Sequence, residues 1–206
     1  VQDDLKLTIN AAKVLEKMYL RRDENGKVVE TPSQMFRRVA DNIAEADKSY
    51  GHAKEEIKKT SDGFYEMMSS LEFLPNSPTM MNAGTPMQQL AACYVLPIED
   101  SIDGIFGTLK NAAVIQQSGA GTGFSFSRLR PKGDLIRSTG GVSSGPMSFL
   151  NVYNTVTEAM KLGGRRRGAN MGILRIDHPD IVEFIISKEK DESLANFNLS
   201  AAITDK

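Results

Sequence analysis

The sequence predicts an α/β protein, with a helical N-terminal domain over residues 1–73 followed over 74–206 by short strands alternating with helices. Three observations predict it. Apolar residues recur at helical spacing through residues 5–70. At Leu74-Pro75-Asn76-Ser77-Pro78 the texture changes to loops rich in glycine, proline and small polar residues. Beyond that point short apolar runs are separated by helical patterns, as in βα units around a largely parallel sheet.

The first helix is expected over 5–20, and Asp23-Glu24-Asn25-Gly26 is a turn signal after it. Thr31-Pro32-Ser33 opens a second helix with proline in its first turn, and a third covers 53–70. The apolar runs at 92–96, 123–127, 172–176 and 199–204 are candidate buried strands. Helices are expected between them at 102–117, 147–161 and 180–187. The last run meets Thr204-Asp205-Lys206 with no closing helix, so the sheet is expected to be incomplete: a truncated chain, a proteolytic product or half of a split protein.

Composition narrows the function classes. With 25 basic and 26 acidic residues the net charge is −1, so no global field points to nucleic acid or an acidic membrane. The single cysteine excludes an internal disulfide, and with only His52 and His178 beside it a Cys/His zinc site is not expected. No apolar run approaches the roughly 20 residues that span a bilayer, and the charged start does not resemble a signal peptide. A soluble, cytoplasmic protein without a resident metal is the expectation.

Cys93 lies in Ala91-Ala92-Cys93-Tyr94-Val95-Leu96. Alone, it reads either as a buried small hydrophobe or as a redox thiol. The second reading needs a partner cysteine at a Cα separation of about 5.5–6 Å, which this chain does not supply. Glu99-Asp100-Ser101 reads as a helix N-cap or as a site where Asp100 accepts from a ribose hydroxyl. Gly119-Ala120-Gly121-Thr122-Gly123 is a turn, or a backbone able to approach a ligand closely. Arg128, Arg130, Lys132 and Arg137 surround the turn Pro131-Lys132-Gly133-Asp134, either as a solvated basic turn or as forks for phosphate oxygens.

The densest signal is Lys161-Leu162-Gly163-Gly164-Arg165-Arg166-Arg167-Gly168-Ala169-Asn170, where glycines flank three arginines between a helix and a strand. Arg165 to Arg167 could serve a nucleic-acid arm, but the run is short and lacks interleaved aromatics, which favours a small nucleotide. A free-standing nucleotide-sensing module is a further alternative. His178 reads as helix-capping chemistry, and the Met67-Met68 and Met80-Met81 pairs as core filling.

In order, Leu74-Pro75-Asn76-Ser77-Pro78-Thr79, Ala92-Cys93-Tyr94-Val95-Leu96, Asp100-Ser101-Ile102, Gly121-Thr122-Gly123, Arg128-Leu129-Arg130 and Gly163 to Asn170 resemble the large chains of ribonucleotide reductases, above all the adenosylcobalamin-dependent class II. The resemblance covers residues 70–206. It implies a helical domain preceding a ten-stranded α/β barrel of two parallel five-stranded halves, of which this chain would hold the first part. It also implies radical reduction of ribonucleoside di- or triphosphates to deoxyribonucleotides for DNA synthesis, with a cysteine pair that becomes a disulfide.

By position, the resemblance makes Cys93 the first member of that pair, with Ser77, the Ala92–Cys93 backbone and Gly121 holding substrate. Asp100, Ser101 and Ile102 would take the sugar and base of an allosteric deoxynucleoside triphosphate, and Arg130 and Arg137 its phosphates. Lys161, Leu162, Arg166 and Asn170 would carry effector identity to substrate choice. Ala92 stands where other members carry serine, a change a backbone contact survives. The implied cofactor is adenosylcobalamin, with a di-iron radical partner subunit as the alternative. The implied partners are the remaining C-terminal part of the reductase, a thioredoxin-like reductant and a second copy in a homodimer. The family places its radical cysteine and second reducing cysteine beyond residue 206, so this chain alone is expected to be inactive.

Overall fold

The structure is a computed structural model describing residues 5–137, 139–160, 168–189 and 194–205. The chain divides into two units, Val1–Ala92 and Cys93–Lys206.

In the first unit, α1 (Ile9–Val14) begins at Ile9 because the Thr8 hydroxyl accepts from the Ala11 N–H at 3.2 Å, and it runs into a π-helical turn, Leu15–Tyr19. The apolar spacing alone predicts an earlier start, since spacing does not register a cap. Helix α2 (Pro32–Ala44) opens on a reciprocal capping box: Thr31 Oγ1 accepts from Gln34 N at 3.2 Å, and Gln34 Oε1 accepts from Thr31 N at 2.9 Å. Its 3₁₀ extension, Glu45–Tyr50, stops at Gly51, whose φ of 85° few other residues adopt. Helix α3 (Lys54–Ser69) and the short α4 (Ser77–Asn82) follow. Met80 and Ala83 are buried in one cluster with Leu20, Met35, Phe36 and Val39, so the contacts of α4 lie with the helical unit although the change of texture precedes it.

The second unit runs β1 (Cys93–Leu96), α5 (Ile102–Gln117), β2 (Gly121–Ser125), β3 (Leu135–Ile136), β4 (Gly141–Val142), α6 (Gly145–Met160), β5 (Asn170–Arg175), α7 (Ile181–Ile186) and β6 (Phe197–Ala202). β3 and β4 form a small antiparallel hairpin that the turn signals alone do not reveal. The other four strands are all parallel in the order β1-β2-β5-β6, which is chain order. One core cluster contains residues of α5, α6 and α7 together with Phe124, Leu174 and Phe197 of the sheet, so all three helices cover the same face. Sequential parallel strands with helices on one side are the winding of an α/β barrel rather than of a doubly wound sheet. The chain is therefore a helical domain plus the start of an α/β barrel.

Strands β2, β5 and β6 each begin before the apolar runs predict, at Gly121, Asn170 and Phe197. Their first residues include Thr122 and Asn170, polar yet buried, and Asn198, exposed on the other face, and these interrupt the apolar pattern.

Tyr153 packs edge-on against Phe124, with centroids 5.0 Å apart, and its hydroxyl donates to the Ile105 carbonyl at 2.6 Å. Burial pushes its phenol above the ordinary tyrosine range, so the neutral donor persists. A folded-state value above the unfolded one means this contribution is intact below the usual value of 10 and is lost as pH rises through the raised one. Tyr153→Phe is expected to lower stability at neutral pH by about 1–2 kcal/mol. It should also flatten the alkaline fall in melting temperature, and an unchanged alkaline profile would contradict this account.

Candidate functional site

Strand alternation sorts the sheet into two faces. Tyr94, Leu96, Thr122, Phe124, Asn170, Gly172 and Leu174 turn toward the helices, while Cys93, Val95, Gly121, Gly123, Ser125 and Met171 turn to the face that, among the described residues, no helix of this unit covers. Val95 is 87% exposed there. Cys93 is a free thiol, exposed at the first position of β1 and outside the core cluster of this unit. Its register partner is Gly121, followed two residues on by Gly123 on the same face. Two adjacent positions without side chains leave a shallow trough beside the thiol. A Cβ at Gly123 would meet Met171, Tyr94 and Val95 only at ordinary contact distances of 3.7–3.9 Å, so packing does not require glycine there.

Beyond the C-terminal end of β1 lies a cleft of about 390 Å³, lined by Asp100, Ser101, Ile102, Ile105, Arg130, Ile136, Val142, Ser143, Ser144 and Phe149. Ser101 is the N-cap of α5, its hydroxyl accepting from Gly104 N at 3.0 Å. Asp100 is not a cap. Its carboxylate accepts from Arg130 Nε at 2.7 Å and from the Arg130 main-chain N–H at 3.3 Å. The pair balances charge at the mouth of the cleft and fixes the guanidinium. Arg137 is exposed on the β3–β4 turn and does not line the cleft, although its neighbour Ile136 does.

Asn170 is buried, its amide bonded to Gln116, Thr122 and Thr157. Lys161, Leu162 and Arg166 lie outside the described residues. In the helical unit, the Ser77 hydroxyl lies 3.0 Å from that of Tyr19, and both border a cavity of about 640 Å³. Ala92 closes that unit and is partly exposed. His178 is buried with Nε2 donating to the Leu129 carbonyl at 2.9 Å and Nδ1 accepting from Asp180 N at 3.1 Å, a local structural role. Among the described residues no group of three or more His, Cys, Asp or Glu side chains is placed to hold a metal ion, and no helix is long and apolar enough to cross a membrane.

Sequence reading misses two features. The hairpin wall of the cleft, Ile136 and Val142, becomes visible only once the chain has folded back. The polar group around Gln116 does leave a signal: Gln116 continues the apolar stripe of α5 at 105, 109 and 112, so it falls where a core residue belongs.

Comparison with known proteins adds an independent line. Residues 91–206 match the family described as "Ribonucleotide reductase, barrel domain", and residues 5–88 match "Ribonucleotide reductase, all-alpha domain". The chain is similar to the vitamin B12-dependent ribonucleoside-diphosphate reductase of Thermoplasma acidophilum, 48% identical over 259 residues, covering 100% of the chain and 34% of the relative. It is similar also to the protein of that name in Mycobacterium tuberculosis strain H37Rv, at 46% over 206 residues, 100% of the chain and 29% of the relative. The ribonucleoside-diphosphate reductase large subunit of Trypanosoma brucei brucei is 39% identical over 183 residues, 86% of the chain and 21% of the relative. The chain thus spans about a third or less of the length of these relatives.

Proposed function

Since this chain belongs to the ribonucleotide reductase large-chain family, we propose that it contributes the effector cleft and one reducing thiol to an enzyme that converts ribonucleotides to deoxyribonucleotides in the cytoplasm. The observation that carries this reading is the exposed Cys93 beside the Gly121–Gly123 trough, on the face that a completed barrel would enclose. In the proposed reaction two thiols give up two electrons and two protons, the ribose 2′-hydroxyl leaves as water, and the thiols become a disulfide that a thioredoxin-like reductant restores. Cys93 would be one of them, with the Ala92–Cys93 backbone, Ser77 and Gly121 around the substrate.

Adenosylcobalamin, suggested by the names of the relatives, would supply the initiating radical. The corrin ring of that group would hold its own cobalt, so no ligand cluster of this chain is called for, and no step is assigned to the described residues, whose histidines are engaged elsewhere, His178 in the core and His52 beside Glu56. A di-iron radical partner subunit remains the alternative source.

The cleft is assigned to a deoxynucleoside triphosphate. Asp100 and Ser101 suit sugar hydroxyls, Ile102 and Phe149 offer apolar surface to a base, and Arg130 suits phosphate, with Arg137 one residue beyond the wall for the outer phosphates. On α5, Ile102, Phe106 and Val114 are exposed, and Phe106 stacks edge-on with Phe149 of α6 at 6.5 Å. This apolar two-helix face adjoining the cleft supports a homodimer through a second copy of itself.

Titration with a fluorescent deoxynucleoside triphosphate tests the assignment. The chain is expected to bind it, and Arg130→Met to weaken binding about tenfold or more by losing charge-assisted hydrogen bonds. Equal affinity in the variant, with its circular dichroism unchanged, would remove Arg130 from the site.

A further inference from the structure

Four polar side chains are buried together between the helices and the first residues of β2 and β5: Gln116, Thr122, Thr157 and Asn170, each 5% exposed or less. Their hydrogen bonds have a single sense. Gln116 Nε2 donates to Thr122 Oγ1 at 2.9 Å and to Asn170 Oδ1 at 2.7 Å. Thr122 Oγ1 donates to the same Oδ1 at 2.7 Å, Asn170 Nδ2 donates to Thr157 Oγ1 at 2.7 Å, and Thr157 Oγ1 donates to the Tyr153 carbonyl at 2.9 Å. The amides of Gln116 and Asn170 are coupled, since reversing either alone would set two donors or two acceptors against each other. Such a network in an apolar core fixes one geometry and tolerates no partial substitute.

Its place in the fold gives it a role. Gln116 stands at the end of α5, whose N-terminus brings Ser101 and Ile102 to the cleft. Thr122 follows Gly121, the register partner of Cys93. Thr157 lies in the last turn of α6 and Asn170 opens β5, on either side of residues 161–169. Gly168 rests against the Gln116 side chain: a Cβ there would stand 3.0 Å from Gln116 Cγ.

We propose that Gln116 is a positioning residue that fixes the chain at Gly168 and Asn170, where it enters β5, and ties this entry to the effector helix and the Cys93-adjacent strand. This rests on the reading of the 161–169 segment as the element linking effector to substrate, and deepens it: effector-driven changes at α5 would reach the segment through the Gln116 amide.

Limited trypsin digestion of the chain tests this by comparing cleavage after Arg165, Arg166 and Arg167 with cleavage elsewhere, with and without a deoxynucleoside triphosphate. Gln116→Met and Thr157→Val are expected to raise the relative rate at the arginine run about tenfold, the factor a lost buried hydrogen bond implies. Both should abolish protection by the triphosphate, and Thr157→Ser, which keeps the hydroxyl, should restore both behaviours. A purely structural role would accelerate all sites together and leave the ratio alone. Wild-type ratios and full protection in Gln116→Met and Thr157→Val would overturn the proposal. Absence of triphosphate protection in the unaltered chain would overturn the effector reading, while the cleavage ratio would still decide the positioning role.

Discussion

Arg38→Ala is expected to destabilise the helical unit by about 3–5 kcal/mol, the usual consequence of leaving a buried charge without its partner. Arg38 on α2 and Glu30 before it are 10% and 7% exposed at their side chains. Arg38 Nε donates to Glu30 Oε1 at 2.6 Å and Nη2 to Oε2 at 3.0 Å, a two-point fork. The same guanidinium donates to the carbonyls of Ala83 and Met80, and Glu30 Oε2 also accepts from Arg21 N at 3.1 Å. One side chain thus ties α2 to the strap before it and to the end of α4. Gly84 completes the fit: its φ is 69°, and a Cβ there would stand 2.9 Å from Arg38 Cγ. Denaturant unfolding followed by helical circular dichroism measures the loss. The double variant Arg38→Met with Glu30→Gln should recover a large part of it, because no lone charge is then buried. A loss below about 1 kcal/mol in Arg38→Ala would mean that water reaches the pair.

The Arg38–Glu30 pair also marks where sequence reading reaches its limit. Helices α2, α3 and α5 are legible because caps and apolar stripes are local: Thr31 and Gln34 announce α2, and Ser101 announces α5. The strands are legible as apolar runs, but their first residues are not, since Thr122 and Asn170 are buried through hydrogen bonds to elements far away in the chain. The same physics governs the site. Cys93, Asp100 and Arg130 stand out by type and order, and the Asp100–Arg130 pairing adds what type alone cannot, a bond across thirty residues. Cys93 in isolation reads sooner as a buried core thiol than as a redox thiol. Its exposure follows from its place on an edge strand with one face of the sheet left open, a property of topology rather than of the neighbouring residues.

That exposure makes the second large effect specific. In a reductase containing this chain, Cys93→Ser is expected to abolish turnover driven by a dithiol while leaving substrate affinity within about twofold, the pattern of a group needed in the chemical step and little in binding. Serine keeps the size and hydrogen-bonding capacity of the side chain but cannot form the sulfur–sulfur bond in which the two electrons end. The start of β1 suits the thiol to this role: a partner cysteine must bring its Cα to about 5.5–6 Å, and the side-chain-free positions Gly121 and Gly123 beside it leave room for that approach. As the only cysteine of the chain, Cys93 also reports on itself. Iodoacetamide should add once to the chain, at Cys93, and a ribonucleotide that occupies the trough should slow that addition in the reductase. If Cys93→Ser sustained repeated turnover with a dithiol reductant, the reducing pair would have to be built from other residues. The exposed thiol on the open face would then be incidental to the reaction.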